Sequence, residues 1–187
     1  NGSGLIVACT ADRKCSVFQF QNLQRPVTDQ HTSLKLPPRC VAITPQADGI
    51  CVGSIEGRIA VHYFSDPNAQ QKKTFAFKCH RINKQKMVFP VNDIKFSRFN
   101  TFVTAGSDGI YNIWDIGEKQ RLKARPAPNV QHPMPIVSTD FNSKYFFYVL
   151  FYFYPNFKKC ATMLAFLTYV NKSIINDYYP PRPSPFY

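Results

Sequence analysis

Three polar side chains in the middle of this chain have the donor and acceptor types of a buried hydrogen-bond network. His80 donates and accepts through its two ring nitrogens, the Asp108 carboxylate accepts, and the Trp114 indole N–H donates. Buried groups of these kinds each require a partner. No nucleophile stands beside a base, and no carboxylate pair is placed for acid–base work. The residue types therefore favour a structural role over catalysis, and no enzymatic activity is expected.

A second group of side chains is cationic and could bind anions. The 187 residues include 23 Lys and Arg against 11 Asp and Glu, a formal net charge of +12. This balance favours nucleic acid or an acidic peptide as partner, and the alternative is a solvated basic surface without a specific ligand. The basic residues form two clusters along the chain: Lys72, Lys73, Lys78, Arg81, Lys84 and Lys86, then Lys119, Arg121, Lys123 and Arg125.

The six cysteines indicate neither a metal site nor a disulfide framework. They contain no CxxC pair, and most lie inside apolar stretches. Buried reduced thiols fit this pattern better than zinc ligands or disulfides, and no cofactor is expected. The first six residues show no secretory leader pattern. The cysteines are Cys9, Cys15, Cys40, Cys51, Cys79 and Cys160.

The elements that position these residues are predicted from a repeat. A tight polar turn followed by a strand of β-branched and aromatic residues occurs three times, and its turn acids Asp12, Glu56 and Asp108 recur about every 45 to 52 residues. This is the period of a propeller blade built from four antiparallel strands. The three copies are residues 10–20, 53–64 and 106–116.

The sequence around the repeats supports the same architecture. Asp48-Gly49 and Asp108-Gly109 favour hairpin turns because these residues tolerate positive φ, and a further copy begins at Pro135. Residues 1–145 therefore predict an all-β, partial propeller of roughly three blades plus part of another. Complete propeller rings have about four to eight blades. A generic sandwich or meander of short strands is the alternative.

Residues 146–187 depart from this pattern and predict an irregular, aromatic-rich tail. Pro155 and the Lys158-Lys159 pair divide its apolar run into pieces shorter than the roughly 20 residues of a spanning helix, so no membrane insertion is expected. Two interpretations stay open. The tail is either a lineage-specific extension ending in a proline-rich segment or a mistranslated segment without selected function.

The residues between about 5 and 145 also resemble a known family. The segments Gly53–Tyr63, Phe75–Arg81 and Thr101–Gly109, followed by Trp114-Asp115, run in the order found in one group of WD-repeat proteins. That group comprises the messenger-RNA export factor of the nuclear pore and its sister, the WD-repeat protein of the spindle checkpoint. The segments 62–68 and 119–126 are closer to the export factor.

The resemblance implies a partial WD40-type β-propeller that acts as a non-enzymatic scaffold. Export factors of this family bind an acidic segment of a phenylalanine-glycine nucleoporin and contact RNA, which places them in the nucleus and at the nuclear envelope, shuttling to the cytoplasm. The checkpoint sister binds checkpoint kinases and phosphorylated kinetochore peptides. A truncated product without function is a further alternative.

The resemblance also assigns roles to residues. His80, Asp108 and Trp114 match the hydrogen-bonded chain of a WD blade, in which Ala105 stands where a hydroxyl is common, so a partial network is expected. Arg81, Lys119 and Arg121 match positions near bound acidic or phosphate-bearing ligands. Arg58 is expected to be structural, with a partner-facing role as the alternative. The full basic binding set predicted is Arg81, Lys119, Arg121, Lys78, Lys84 and Lys123.

Overall fold

The structure, a computed structural model, consists of antiparallel sheets joined by short connections. It describes residues 4–64, 74–97, 101–126, 134–141, 145–153 and 161–169. Within these residues the chain forms sixteen strands and one short 3₁₀ helix. Each large sheet is built from strands that are consecutive in the sequence, as expected when every strand pairs with the next through a hairpin.

Four sheets follow one another along the chain. The first contains β1 (Leu5–Cys9), β2 (Lys14–Gln19) and β3 (Thr28–His31). The second contains β4 (Pro38–Ile43), β5 (Gly49–Ser54), β6 (Arg58–Tyr63) and β7 (Phe75–Lys78). A small hairpin, β8 (Arg81–Ile82) and β9 (Met87–Val88), follows and encloses the 3₁₀ helix Asn83–Gln85. The third sheet contains β10 (Val91–Phe96), β11 (Thr101–Gly106), β12 (Ile110–Asp115) and β13 (Gln120–Pro126). The fourth contains β14 (Ile136–Phe141), β15 (Tyr145–Phe153) and β16 (Ala161–Tyr169).

The sheets lie side by side in the manner of propeller blades. The first strand of each later sheet contacts its counterparts, so that β10 packs beside both β4 and β14. Two apolar clusters fill the spaces between sheets, one around Val17 and Ile50 and the other around Ile59 and Phe102. Because each blade covers its neighbour's apolar face, the arrangement confirms the prediction of a partial propeller.

Side chains of the inner strands connect successive blades. Arg39 on β4 donates from Nε to Asn92 Oδ1 on β10 (2.8 Å), and Asn92 Nδ2 donates to the Ile136 carbonyl on β14 (2.8 Å). The Asp93 carboxylate accepts from the Thr139 backbone N–H (2.7 Å) and hydroxyl (3.1 Å). The inner strands of three blades are therefore joined by polar contacts as well as by apolar packing.

The two predicted hairpin turns differ in detail. Gly109 has a φ of +70°, in agreement with the prediction for Asp108-Gly109. At the other turn the positive φ (56°) lies at Ala47, one residue earlier than expected. Gly49 is needed for another reason, since a Cβ there would lie 2.5 Å from the His62 carbonyl oxygen. The close approach of β6 therefore explains why residue 49 is a glycine. The sequence had suggested a positive φ in the turn as the reason.

The expectation that the cysteines are all reduced is wrong for one pair. Cys9 and Cys15 form a disulfide, with their Cα atoms 4.2 Å apart. They face each other across the β1–β2 hairpin. The neighbouring Thr10–Lys14 pair carries the backbone hydrogen bond, so Cys9 and Cys15 occupy the closer, non-hydrogen-bonded position. Cys40, Cys51 and Cys79 are free thiols, and Cys160 lies outside the described residues.

The segment predicted as an irregular tail contains two strands. The boundary after residue 145 falls at the start of β15, which pairs with β14 and with β16. Paired strands therefore continue through residue 169 with one gap in the described residues, and this segment is more regular than expected. No helix of the described residues is long and apolar enough to span a membrane.

One buried histidine predicts a pH dependence of stability. The His62 Nε2 accepts a hydrogen bond from the Ser33 backbone N–H (3.2 Å), and burial lowers the pKa of His62 below its ordinary value of 6.5. Because the folded pKa lies below the unfolded one, its contribution to stability is complete above pH 6.5 and is lost as the pH falls through the folded pKa.

We therefore expect the urea midpoint of the wild-type chain to fall between pH 7.5 and pH 5.5, with a smaller fall in His62→Gln. His31→Gln, at an exposed position, is the matched control and should keep the wild-type dependence. Equal falls in wild type and His62→Gln would contradict this role for His62.

Candidate functional site

A continuous hydrogen-bonded chain lies at the base of the connection between the second and third sheets. His80 Nδ1 lies 2.9 Å and 3.1 Å from the two Asp108 carboxylate oxygens, and His80 Nε2 lies 2.9 Å from Thr104 Oγ1. The Trp114 indole N–H donates to the same hydroxyl (3.0 Å). The structure therefore brings His80, Asp108 and Trp114 together through a fourth residue, Thr104.

The expectation of a partial network is wrong, because the hydroxyl is present. The hydroxyl was expected at the position of Ala105, but Thr104 provides it. Phe102 lies opposite Trp114 in the β11–β12 register. Since side chains alternate along a strand, Thr104 shares the face of Phe102 and Trp114, whereas Ala105 points to the other side. The β11–β12 register therefore decides which residue provides the hydroxyl, and this register cannot be predicted to the exact residue from the sequence.

The donors in this network determine the tautomer of His80. The indole only donates, so the Thr104 oxygen accepts from Trp114 and its hydroxyl hydrogen is free to point at His80 Nε2. Nε2 is then the acceptor, and the proton on Nδ1 is donated to Asp108. Asp108 also accepts from the Ile110 backbone N–H (3.1 Å). All four side chains are thus satisfied, which suits a structural role.

Two glycines allow the connection to pack this closely. A Cβ at Gly106 would lie 2.3 Å from His80 Nδ1 and 2.7 Å from an Asp108 oxygen. At Gly57 (φ +63°) a Cβ would lie within 2.9 Å of three carbonyl oxygens of the connection, those of Phe89, Cys79 and His80. The β5–β6 turn and the connection that carries His80 are therefore held against each other.

Two arginines meet at this junction, next to the network. Arg81 donates from Nη2 to the Glu56 carbonyl oxygen (2.8 Å), and Arg58 Nε lies 3.5 Å from Glu56 Oε2. The Nε atoms of both arginines and Glu56 Oε1 are buried without a hydrogen-bond partner among the described residues. The Arg58 side chain is 28% exposed and that of Glu56 16%. Two partly exposed guanidinium groups therefore meet at the turn of Glu56, Arg58 beside its carboxylate and Arg81 at its carbonyl oxygen.

The remaining predicted cations do not form one surface. Lys78 ends β7 and Lys84 lies in the 3₁₀ helix, both exposed and at the same end of the blades as Arg81. Lys119, by contrast, stacks its ammonium 4.8 Å from the Phe75 ring at the beginning of β7. The two groups thus flank opposite ends of β7, about 10 Å apart along the strand. Lys72 and Lys73 lie outside the described residues.

A β-bulge divides the cations of β13 further. Arg121 pairs with Trp114 and Lys123 pairs with Ile113, with a register shift between them. Adjacent residues of β12 face opposite sides of the sheet. Arg121 is consequently directed to one face, and Lys123, with Arg125 opposite Tyr111, to the other. The alternating basic sequence suggested a single row, which the bulge prevents.

Two features of this junction were not predicted from the sequence: the part of Thr104 in the network and the contact of Arg81 with the Glu56 turn. Arg58, for which a structural role was predicted, pairs with Glu56. The Glu56-Gly57-Arg58 segment could have indicated this junction. A glycine in a turn lets other backbone segments approach closely, and an acid and an arginine flank it here. What the sequence did not reveal is that Arg81 meets this turn from a different connection.

The radial sheets and the buried His–Asp–Thr–Trp chain define a WD-repeat propeller segment. No family model matches the chain. It is 42% identical over 149 residues to Protein RAE1 of Arabidopsis thaliana, covering 79% of this chain and 41% of that protein. Over 124 residues it is 41% identical to the mitotic checkpoint protein BUB3.1 of the same plant, covering 65% and 36%. The mRNA export factor rae-1 of Caenorhabditis elegans is 36% identical over 149 residues, covering 74% and 38%.

The chain is thus similar to the RAE1 and BUB3 WD-repeat proteins, which confirms the resemblance to this pair. It spans less than half of the length of the relatives it matches. Their names concern mRNA export and the mitotic checkpoint, and identity to the two plant proteins differs by only one percentage point. Overall similarity therefore does not separate the two sisters.

Proposed function

We propose that this chain is a non-enzymatic docking scaffold that binds an acidic segment of a partner protein at the junction of Arg58, Glu56 and Arg81. The observation that carries this function is the meeting of two partly exposed arginines at one turn, with Arg58 beside the Glu56 carboxylate and Arg81 on the Glu56 carbonyl oxygen. A carboxylate supplied by a partner would accept charge-assisted hydrogen bonds from the solvent-facing N–H groups of these side chains.

The surroundings of the junction favour an acidic ligand. Lys78 and Lys84 add exposed positive charge at the same end of the blades, and Glu56 is the acid already paired there. Cations around a partly buried pair of arginines attract an acidic segment over long range, and the arginines then hold it by short-range contacts. Arg suits this work better than Lys, because its planar guanidinium forms two parallel hydrogen bonds.

The partner that best fits the relatives is the acidic segment of a phenylalanine-glycine nucleoporin. Two of the three relatives described above are named as RAE1 proteins, one of them as an mRNA export factor. On this basis we place the chain in messenger-RNA export, in the nucleus and at the nuclear pore, with shuttling to the cytoplasm.

A second candidate is a checkpoint adaptor that binds checkpoint kinases and phosphorylated kinetochore peptides. The relationship to BUB3.1 supports it. The same junction suits phosphate chemically, because a guanidinium group grips phosphate in the geometry it uses for carboxylate. The two candidates differ in the anion, so ligands that carry one or the other distinguish them.

RNA contact is assigned to the opposite end, where Lys119 and Arg121 lie, and to the outer strand β13. This strand carries Arg121, Lys123 and Arg125 without an acid among them. The bulge directs these cations to both faces of β13, so a single-stranded nucleic acid running along this edge strand could contact both sets through its phosphates. Nucleoporin segment and RNA would then occupy separate surfaces.

Charge reversal at each end tests this division. We expect Arg81→Glu to weaken binding of a fluorescein-labelled, Glu-containing nucleoporin segment by at least about 30-fold, since loss of one partner of a desolvated charge pair costs about 2 kcal/mol or more. Arg121→Glu makes the same charge change at the other end and should leave this affinity nearly unchanged. Fluorescence anisotropy measures both, with circular dichroism confirming the fold of each variant.

The same assay with a Glu→Gln peptide and a phosphoserine peptide identifies the preferred anion. Tighter binding of the phosphopeptide would favour the checkpoint candidate. Equal losses in Arg81→Glu and Arg121→Glu would contradict the assignment of the site to the Arg58–Arg81 junction, and a wild-type chain that binds neither peptide would support a product without function.

A single-stranded oligouridine probe completes the experiment. The double variant Arg121→Gln/Lys123→Gln should bind it more weakly, and the slope of log affinity against log salt should become shallower by about 1.4, the value for two lost phosphate contacts on a single strand. Arg81→Gln, which removes one charge at the other end, should leave the slope unchanged. A flat salt response of the wild-type chain would contradict direct RNA binding.

A further inference from the structure

The two cysteines of the disulfide in the first sheet differ in their exposure to solvent. Cys15 is fully buried in the apolar cluster that also contains Val17 and Leu34, whereas Cys9 is half-buried on β1. Cys9 packs against the edge of this cluster and is the more exposed of the two, so we take its sulfur as the point of attack by a soluble thiol. Exchange reactions depend on which sulfur is accessible, so the pair has a defined point of attack and a defined leaving group.

The segment enclosed by the disulfide contacts the connection to the next blade. Arg13, between the two cysteines, donates from Nη1 to the Leu34 carbonyl oxygen (3.2 Å) and accepts at its own carbonyl oxygen from the Thr32 backbone N–H (2.8 Å). In the described residues β1 pairs with β2 alone. The disulfide thus tethers both β1 and the turn that holds residues 32–34.

We propose that Cys9 and Cys15 are a reversible redox modification site, which responds to a glutathione-type thiol pool and controls the mobility of β1 and of the connection at Thr32. The two residues face each other across the β1–β2 hairpin with their Cα atoms 4.2 Å apart, so the strand pairing itself holds the two sulfurs close to each other. Their burial beside the core keeps both sulfurs together when they are reduced. This site is independent of the partner-binding junction.

The chemistry balances with glutathione as the only co-reactant. On reduction, a glutathione thiolate attacks Cys9 Sγ, the protein S–S bond breaks, and Cys15 leaves as a thiolate that takes up a proton. A second glutathione thiolate releases Cys9 from the mixed disulfide, giving two protein thiols and one glutathione disulfide. Oxidation is the reverse, with glutathione disulfide as the oxidant and two glutathione thiols as products.

The tryptic pattern of the chain allows a direct test. The full chain is equilibrated with glutathione buffers from reducing to oxidising, quenched with acid, alkylated in denaturant and digested. Trypsin cuts after Arg13 and Lys14, between the two cysteines, so the oxidised pair is detected as two peptides joined by a bond. We expect these linked peptides to increase with oxidation, while Cys40, Cys51 and Cys79 stay alkylated as thiols and act as internal controls.

Hydrogen exchange tests the consequence. Amides of β1 and of Thr32 should exchange on the order of tenfold more slowly in the oxidised chain, as expected for a short covalent loop. Cys9→Ser, which changes the half-buried residue and leaves the core intact, should exchange like the reduced wild type in every buffer. The proposal is overturned if Cys9 and Cys15 remain separate alkylated thiols in the most oxidising buffer, or if β1 exchanges equally in both forms.

Discussion

Replacement of Asp108 by Ala should lower the free energy of unfolding by about 3 kcal/mol or more. The substitution leaves His80 Nδ1 and the Ile110 N–H without their acceptor in a buried site, and removal of one partner from a buried polar pair costs this much. Urea unfolding followed by fluorescence measures the effect directly, because Trp114 is the single tryptophan of the chain and belongs to the same network.

Two variants control this prediction. Asp12→Ala changes the acid at the equivalent turn of the first sheet, where the carboxylate is exposed and accepts a hydrogen bond from the Thr10 hydroxyl of its own hairpin. It should leave the unfolding midpoint almost unchanged. Asp108→Asn keeps an oxygen for His80 and should fall between wild type and Asp108→Ala. Equal midpoints for Asp108→Ala and Asp12→Ala would show that the network does not stabilise the blade.

Replacement of Phe102 by Ala should be about equally destabilising, by roughly 3–5 kcal/mol, the cost of removing a buried aromatic ring. Phe102 is 1% exposed and packs between blades, with ring centroids 5.2 Å from Phe96, 6.4 Å from Trp114 and 6.5 Å from Phe77. The substitution would therefore leave a cavity in the apolar cluster between the second and third sheets.

Thermal and urea unfolding monitored by circular dichroism test this change. Phe20→Ala is the matched control, since Phe20 is 69% exposed and its loss creates no cavity. Phe102→Leu should recover more than half of the lost stability because it refills most of the space. A Phe102→Ala chain as stable as Phe20→Ala would contradict the packing of the blades described above.

The blades were predictable from the sequence because hairpin turns and alternating strands are local patterns. The acids Asp12, Glu56 and Asp108 mark the β1–β2, β5–β6 and β11–β12 turns, and each strand that follows pairs as expected. His80 and Trp114 were likewise recognisable from residue type. Local chemistry was sufficient wherever the partners of a residue lie in its own hairpin or its own repeat.

The remaining features depend on register and on contacts between distant segments. A one-residue difference separates Thr104 from Ala105, and it decides which side chain faces Trp114. The bulge between Lys123 and Arg121 cannot be deduced from an alternating sequence. In the same way, Cys9 and Cys15 become a bonded pair only once the hairpin register sets them opposite each other.

The polar links among the inner strands make the blades mutually dependent. Asn92 bridges β4 to β14, and the Asp93 carboxylate is satisfied by Thr139 of the following blade. If one blade frayed, its neighbour would be left with a desolvated amide or carboxylate, a penalty added to the lost apolar contact. We therefore expect the second, third and fourth sheets to melt together.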